Sequence, residues 1–180
     1  MRVSVRSDSY LSGPLTALGL AAAAAVCALD QATKLWLIFV YDLARRGPVA
    51  LAPVLDLRLN WNPGISYGLL QQQGIEAQWA LLSVNLAAIV LLWVWLARTA
   101  TKLSALSLGL VIGGAAGNML DRLILARQAG LPYGAVADFV HFHVGGFSWY
   151  VFNLADAAIV AGVVGLLYDS FFGDRAPKAP

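Results

Sequence analysis

Asp138 and Asp156 stand out among the chain's acidic residues, because each lies beside apolar sequence and near amides or a cation that could orient it. Carboxylates held close together cannot both ionise cheaply, so one keeps a proton while the other can act as a base that activates water. Their neighbourhood is organised at helical spacing. Asn153 and Asp156 are three residues apart, and Asn118 and Arg122 are four apart with Asp121 alongside, so two helices each present an amide and a charge on one face. Asp156 falls about 10 Å along a helix from Trp149 at 1.5 Å per residue, and Asp138 sits in a loop that could fold back over it. The residue types alone leave three readings open: a catalytic carboxylate dyad, a proton or ion pathway through the same carboxylates, and structural polar packing.

Other catalytic devices lack their parts. The chain has no HExxH zinc pattern. A serine–lysine pair is disfavoured because Lys34 is four residues from Asp30, a spacing that predicts a structural ion pair near a helix end. His141 and His143 would share a strand face and could form a metal site with Asp138, but they read better as surface or strand residues, so no metal and no cofactor is expected. A single cysteine, Cys27, cannot form an intrachain disulfide.

The elements that must position these groups are membrane spans. Of 180 residues 59% are hydrophobic and only 12% charged, against about 25% charged in a soluble domain. Runs long enough to cross a hydrocarbon core occur at about 11–40, 79–97, 103–120 and 149–168, predicting an all-α membrane protein of four transmembrane helices in a single domain, 1–180. The first run follows Arg2 and Arg6 as a secretory signal would, but Val26 is too bulky before a cleavage site and apolar sequence resumes after Lys34, so it is expected to remain as a span. The outer segments are 41–78 and 121–148. Within the first, Leu55, Leu57, Leu59 and Trp61 alternate with Asp56, Arg58, Asn60 and Asn62, a strand period that predicts a small sheet on the membrane surface. Gly109, Gly113 and Gly117 form a stripe expected to serve close helix packing, and Asn85 an interhelical hydrogen bond. Cations are denser in the segments holding Arg2, Arg6, Arg98, Lys102, Arg175 and Lys178 than in those holding Arg45, Arg46, Arg58, Arg122 and Arg127, which predicts cytoplasmic termini. A net charge of +2 with scattered cations gives no basis for nucleic-acid binding.

Five segments, Asp30-Gln-Ala-Thr-Lys34, Asn62-Pro-Gly64, the run from Gly113 to Arg122, Val136-Ala-Asp-Phe139 and Phe152-Asn-Leu-Ala-Asp156, resemble in order and spacing the motifs of bacterial lipoprotein signal peptidase, signal peptidase II. The resemblance covers roughly residues 15 to 170. It implies an inner-membrane aspartyl protease that cuts the signal peptide from diacylglyceryl-modified prolipoproteins just before the lipidated cysteine, acting in membrane lipid as a monomer, with its site at the extracytoplasmic face beneath a small β-cradle. Carried over by position, Asp138 and Asp156 look like the catalytic pair. Asn62, Gly64, Asn118, Arg122 and Asn153 resemble residues that support the pair or hold substrate. Asp30, Lys34 and Asp121 match positions with a structural role, Asp121 by pairing with Arg122. Two departures, GISYG at Gly64–Gly68 and the HFH after Asp138, bear on substrate contacts rather than on the dyad. The competing class is a small proton or ion transporter, disfavoured because the inner halves of spans one, three and four are nearly free of ionisable groups; a structural membrane subunit is the third.

Overall fold

A computed structural model describes residues 11–64, 75–131 and 134–173. Arg2, Arg6, Arg175, Lys178 and the Ile65–Gly68 part of the GISYG segment lie outside the described residues. Four helices are long and apolar enough to cross a membrane: Thr16–Val40, Gln78–Leu96, Lys102–Gln128 and Leu154–Phe172. The first comprises α1 (Thr16–Leu35), which continues into a π-helical turn at Trp36–Val40. A short α2 (Leu43–Arg46) leads into strands β1 (Val49–Ala52) and β2 (Leu55–Asn62). The second span lies within α3 (Ile75–Leu96), and the third begins as α4 (Lys102–Leu120), widens into a π-helical turn at Asp121–Leu125 and ends in α5 (Ala126–Gln128). Strands β3 (Val136–Val144) and β4 (Phe147–Ser148) precede α6 (Leu154–Phe172).

Two boundaries differ from expectation in ways that matter. The third span continues through Gln128, so Asp121 and Arg122 are helical rather than the start of an outer loop. The fourth begins at Leu154 rather than 149, because Phe152 pairs with Val140 across a β-bridge before the chain turns helical. Asp156 therefore sits in the first turn of α6 and not about 10 Å along it. At the far end α6 runs to Phe172 and carries Asp169, which accepts hydrogen bonds from Thr101 Oγ1 at 2.6 Å and from Ser104.

The central helix is α4, packed chiefly on α1 and α6. Its glycines permit this approach: a Cβ on Gly109 or Gly113 would strike the backbone of α1 at Gly19 or Ala23, and one on Gly114 would strike Ala155. Asn85 on α3 donates to the Ala115 carbonyl at 3.0 Å, satisfying the one amide in the middle of that span. Outward, all four spans leave large apolar side chains uncovered, among them Leu29, Leu91, Ile124 and Val164, as lipid-facing helices do.

The strands form one antiparallel sheet in the order β1-β2-β3-β4. Leu57 faces Val140 and Asn60 faces Asp138, so β2 carries one extra residue between them, a bulge that re-aims the strand end toward Asn62. Asp138 is thus held on β3, not in a loop, and its buried neighbour Phe139 packs with Leu37 and Leu43, tying the sheet to the end of the first span.

Candidate active site

Asn153 is the N-cap of α6 and organises the site. Its Oδ1 accepts from the Asp156 backbone N–H at 2.9 Å, and its own N–H reaches Asp156 Oδ2 at 3.3 Å, a reciprocal capping box. The Nδ2 then spends its hydrogens on Asp138 Oδ1, at 2.7 Å, and Asn118 Oδ1, at 3.1 Å. One fully buried amide therefore touches both aspartates and the amide that supports the second of them. Asn118 Nδ2 donates to Asp156 Oδ1 at 2.9 Å, and Asn62 Nδ2 donates to Asp138 Oδ2 at 3.2 Å. Each carboxylate accepts two hydrogen bonds and still borders one cavity of about 880 Å³. The apolar part of its lining comes from Trp149, Phe152 and the outward face of α6 at Ile159 and Val160.

Asp138 is 2% exposed. Burial first, and the nearby charge of Asp156 second, push its carboxyl from the ordinary value up to about 7, against the opposing hydrogen bonds from Asn62 and Asn153. An acid that is neutral at pH 6 can donate a proton or a hydrogen bond.

Behind the pair lies a buried ion cluster. Lys34 Nζ is 2.7 Å from Asp30 Oδ2, 2.8 Å from Asp121 Oδ2 and 3.2 Å from Asn118 Oδ1, so its three protons have three acceptors. Asp121 pairs with Lys34 and not with Arg122, since adjacent residues on a helix point in different directions. The two carboxylates also reach the strands and helices that carry the site. Asp30 Oδ1 accepts from the backbone N–H of Ala155, and Asp121 Oδ2 from that of Ala137, both at 3.0 Å. Each of these N–H groups belongs to the residue just before Asp156 or Asp138.

Arg122 serves a different edge. Its Nη2 donates to the Gly64 carbonyl at 2.6 Å and its Nη1 to the Asn118 carbonyl at 3.3 Å, while its buried Nε has no hydrogen bond. Gly64 in turn donates its N–H to Asn62 Oδ1 at 3.0 Å, so the Asn62-Pro-Gly64 turn is braced against α4 and its amide is aimed at Asp138.

Two glutamines were not singled out from the sequence. Gln31 donates to Asp121 Oδ1 at 2.7 Å and to the Gly117 carbonyl at 3.1 Å. Gln78 donates to the Arg122 carbonyl and accepts from Gly134 N–H, both at 3.1 Å. The available signal was an amide within or at the mouth of an apolar run, where an unpaired polar group is costly. His141 and His143 are strand residues of β3, as expected, and the grouping with Asp138 that their sequence position allowed is not the one the sheet makes. Asp56 lies opposite His141 in the β2–β3 register, and the histidines face it instead.

Comparison with known proteins places the chain in a family and supports its fold. Residues 22–172 match the family described as signal peptidase (SPase) II. The chain is 57% identical over 158 residues to a lipoprotein signal peptidase of Methylocella silvestris, covering 88% of each chain. It is 54% identical over 162 residues to that of Methylorubrum extorquens, covering 90% of this chain and 89% of the relative. Its fold matches a bacterial membrane enzyme solved by the in meso method, with a TM-score of 0.70 at 20% identity over 91% of this chain and 95% of the other. Four membrane-spanning helices, a small sheet over one end and a family match that spans nearly all of both make this chain a member of the signal peptidase II family.

Proposed function

We propose that Asp138 and Asp156 are the catalytic pair of a membrane aspartic endopeptidase that releases signal peptides from lipoprotein precursors, the activity for which its relatives are named. The observation that carries the assignment is Asn153, one residue that donates to both carboxylates, to Asp138 from its side chain and to Asp156 from its backbone N–H, where they border a common cavity. Asp138, whose carboxyl is pushed up to about 7, is the acid, and Asp156 takes the part of the base. Asp156 takes a proton from water as the water oxygen attacks the scissile carbonyl. Asp138 protonates the carbonyl oxygen, and the resulting diol collapses as one of its hydroxyls returns a proton to Asp138 and the leaving amine takes the proton held by Asp156.

The substrate is a prolipoprotein carrying a diacylglyceryl-modified cysteine. The cavity suits it, because carboxylates form one wall while Trp149, Ile159 and Val160 form a wall open to acyl chains. The apolar outer surface of the spans contacts membrane lipid. Bond cleavage needs both water and lipid, which favours a site at the extracytoplasmic interface with both termini in the cytoplasm. Arg98 and Lys102, at the opposite end of α3 and α4 from the sheet, agree with that orientation. The enzyme acts as a monomer, since one chain supplies both aspartates and, among the described residues, the cavity lining around them, and nothing in its charge calls for nucleic acid.

The test is incubation of purified protein with a lipidated precursor peptide. Asp138→Asn and Asp156→Asn are each expected to abolish cleavage while leaving the protein inserted in the membrane. Near-normal cleavage by either variant removes that residue from the pair.

A further inference from the structure

On the cradle, Asp56 of β2 and His141 and His143 of β3 bring one oxygen and two ring nitrogens together, all within 4.8 Å of one another. Asp56 Oδ2 is 3.0 Å from His143 Nε2 and 3.6 Å from His141 Nδ1. Neither nitrogen makes a hydrogen bond, although both atoms are buried. At 3.0 Å from a carboxylate, a ring N–H that forms no hydrogen bond is not aimed along the line to the oxygen. The two separations from Asp56 Oδ2, 3.0 and 3.6 Å, instead bracket that of neighbouring ligands, because the edge of a tetrahedron with bonds of about 2.0 Å is about 3.3 Å.

The rest of the surroundings resembles a ligand set as well. His141 is 8% exposed in its side chain, and its other ring nitrogen, Nε2, lies 2.7 Å from Ser148 Oγ on β4, an outer partner that fixes the ring and leaves Nδ1 turned toward Asp56. The rings of His141 and His143 stack at 5.3 Å, as i and i+2 residues of one strand face. Asp56 and His143 keep 26% and 32% exposure, enough for an ion to enter and for water to hold a fourth position.

We propose that Asp56, His141 and His143 form a binding site for a divalent transition ion of the zinc class. Two imidazoles and one carboxylate suit such an ion better than magnesium or calcium, which prefer all-oxygen sets. The site is structural. Alternation along β3 puts Asp138 on the opposite face from His141, and the peptidase chemistry uses no group of the trio. A bound ion would clip β2 to β3 and, through Ser148, hold β4 just ahead of Trp149 at the cavity edge. This inference does not depend on the catalytic assignment.

The experiment uses untagged, chelator-treated full-length protein in detergent, titrated with zinc chloride by calorimetry and with Co²⁺ by visible absorbance. The expected result is one ion per chain, a rise in melting temperature with zinc, and the intense visible bands of four-coordinate Co²⁺. His143→Ala and Asp56→Asn should each weaken binding at least tenfold, whereas Asp138→Asn should leave it unchanged. If His143→Ala fails to fold, His143→Gln, which keeps the bulk of the ring, replaces it. No stoichiometric binding, or equal binding by wild type and both ligand variants, overturns the site and leaves a plain histidine–aspartate cluster.

Discussion

Replacing Asp138 with asparagine removes the proton-binding group whose carboxyl the fold pushes up to about 7. The reference value is 3.8, so between the two the native state binds a proton that the unfolded chain has lost. Native stability therefore declines as pH rises through that window and levels off above the native pKa. At 1.36 kcal/mol per unit, the decline between pH 5 and pH 8 is about 3 kcal/mol, with a further ~2 kcal/mol already gone by pH 5. Asp138→Asn lacks this term. It carries a pH-independent cost of about 1 kcal/mol instead, because Asn62 and Asn153 both donate to the carboxylate and an amide can accept at only one of its two ends. The variant should be slightly more stable than wild type near pH 5, by a margin that widens by about 3 kcal/mol on reaching pH 8. Unfolding of both proteins in the same detergent across pH 5 to 8 reads the difference directly. Parallel curves for the two proteins would refute the reasoning, since they would mean that Asp138 does not hold its proton near neutrality.

The same proton governs turnover: kcat/KM on a lipidated peptide should fall about tenfold per pH unit well above 7 as Asp138 ionises, and a rate that stays flat to pH 9 would contradict its role as acid. Lys34→Met should cost about 3–5 kcal/mol by leaving Asp30 and Asp121 buried without their cation, visible as loss of folded protein on size-exclusion chromatography. Asn153→Ala removes the cap of α6 and the contact to Asp138 together; about 1 kcal/mol of stability should go with the cap, with a much larger fractional loss of kcat than of melting temperature. Gly113→Leu should separate α1 from α4, since a side chain there meets the backbone of Ala23, and cysteine cross-linking across that contact should fail.

The spans were legible because their signal is local: hydropathy over about 20 residues is enough to mark a crossing helix. So were β2, from its alternation, and the uses of Asn85 and of the Gly109-Gly113-Gly117 stripe. The start of α6 was not. Asn153 and Asp156 have the spacing of a capping box, but Trp149 to Phe152 extend the apolar run upstream and hide the boundary, and only pairing of Phe152 with Val140 fixes it. Partners supplied by distant chain were the other gap. Asp121 meets Lys34, 87 positions away in sequence, and the histidines meet Asp56 through a register that the β2 bulge sets. The polar residues could be picked out one by one from their depth, whereas who touches whom was decided by packing.

The ammonium of Lys34 has a consequence for how the enzyme can open. Through Asp30 and Asp121 it is linked to the backbone immediately ahead of Asp156 and Asp138, so the interval between the two aspartates is set from beneath, on the side away from the cavity. A precursor can therefore pry the far end of the cradle, beyond Val140, without changing that interval. If the two aspartates cut as proposed, admission and alignment would be mechanically separate, and the cradle tip could vary to suit different cargo while the spacing of the pair stayed constant.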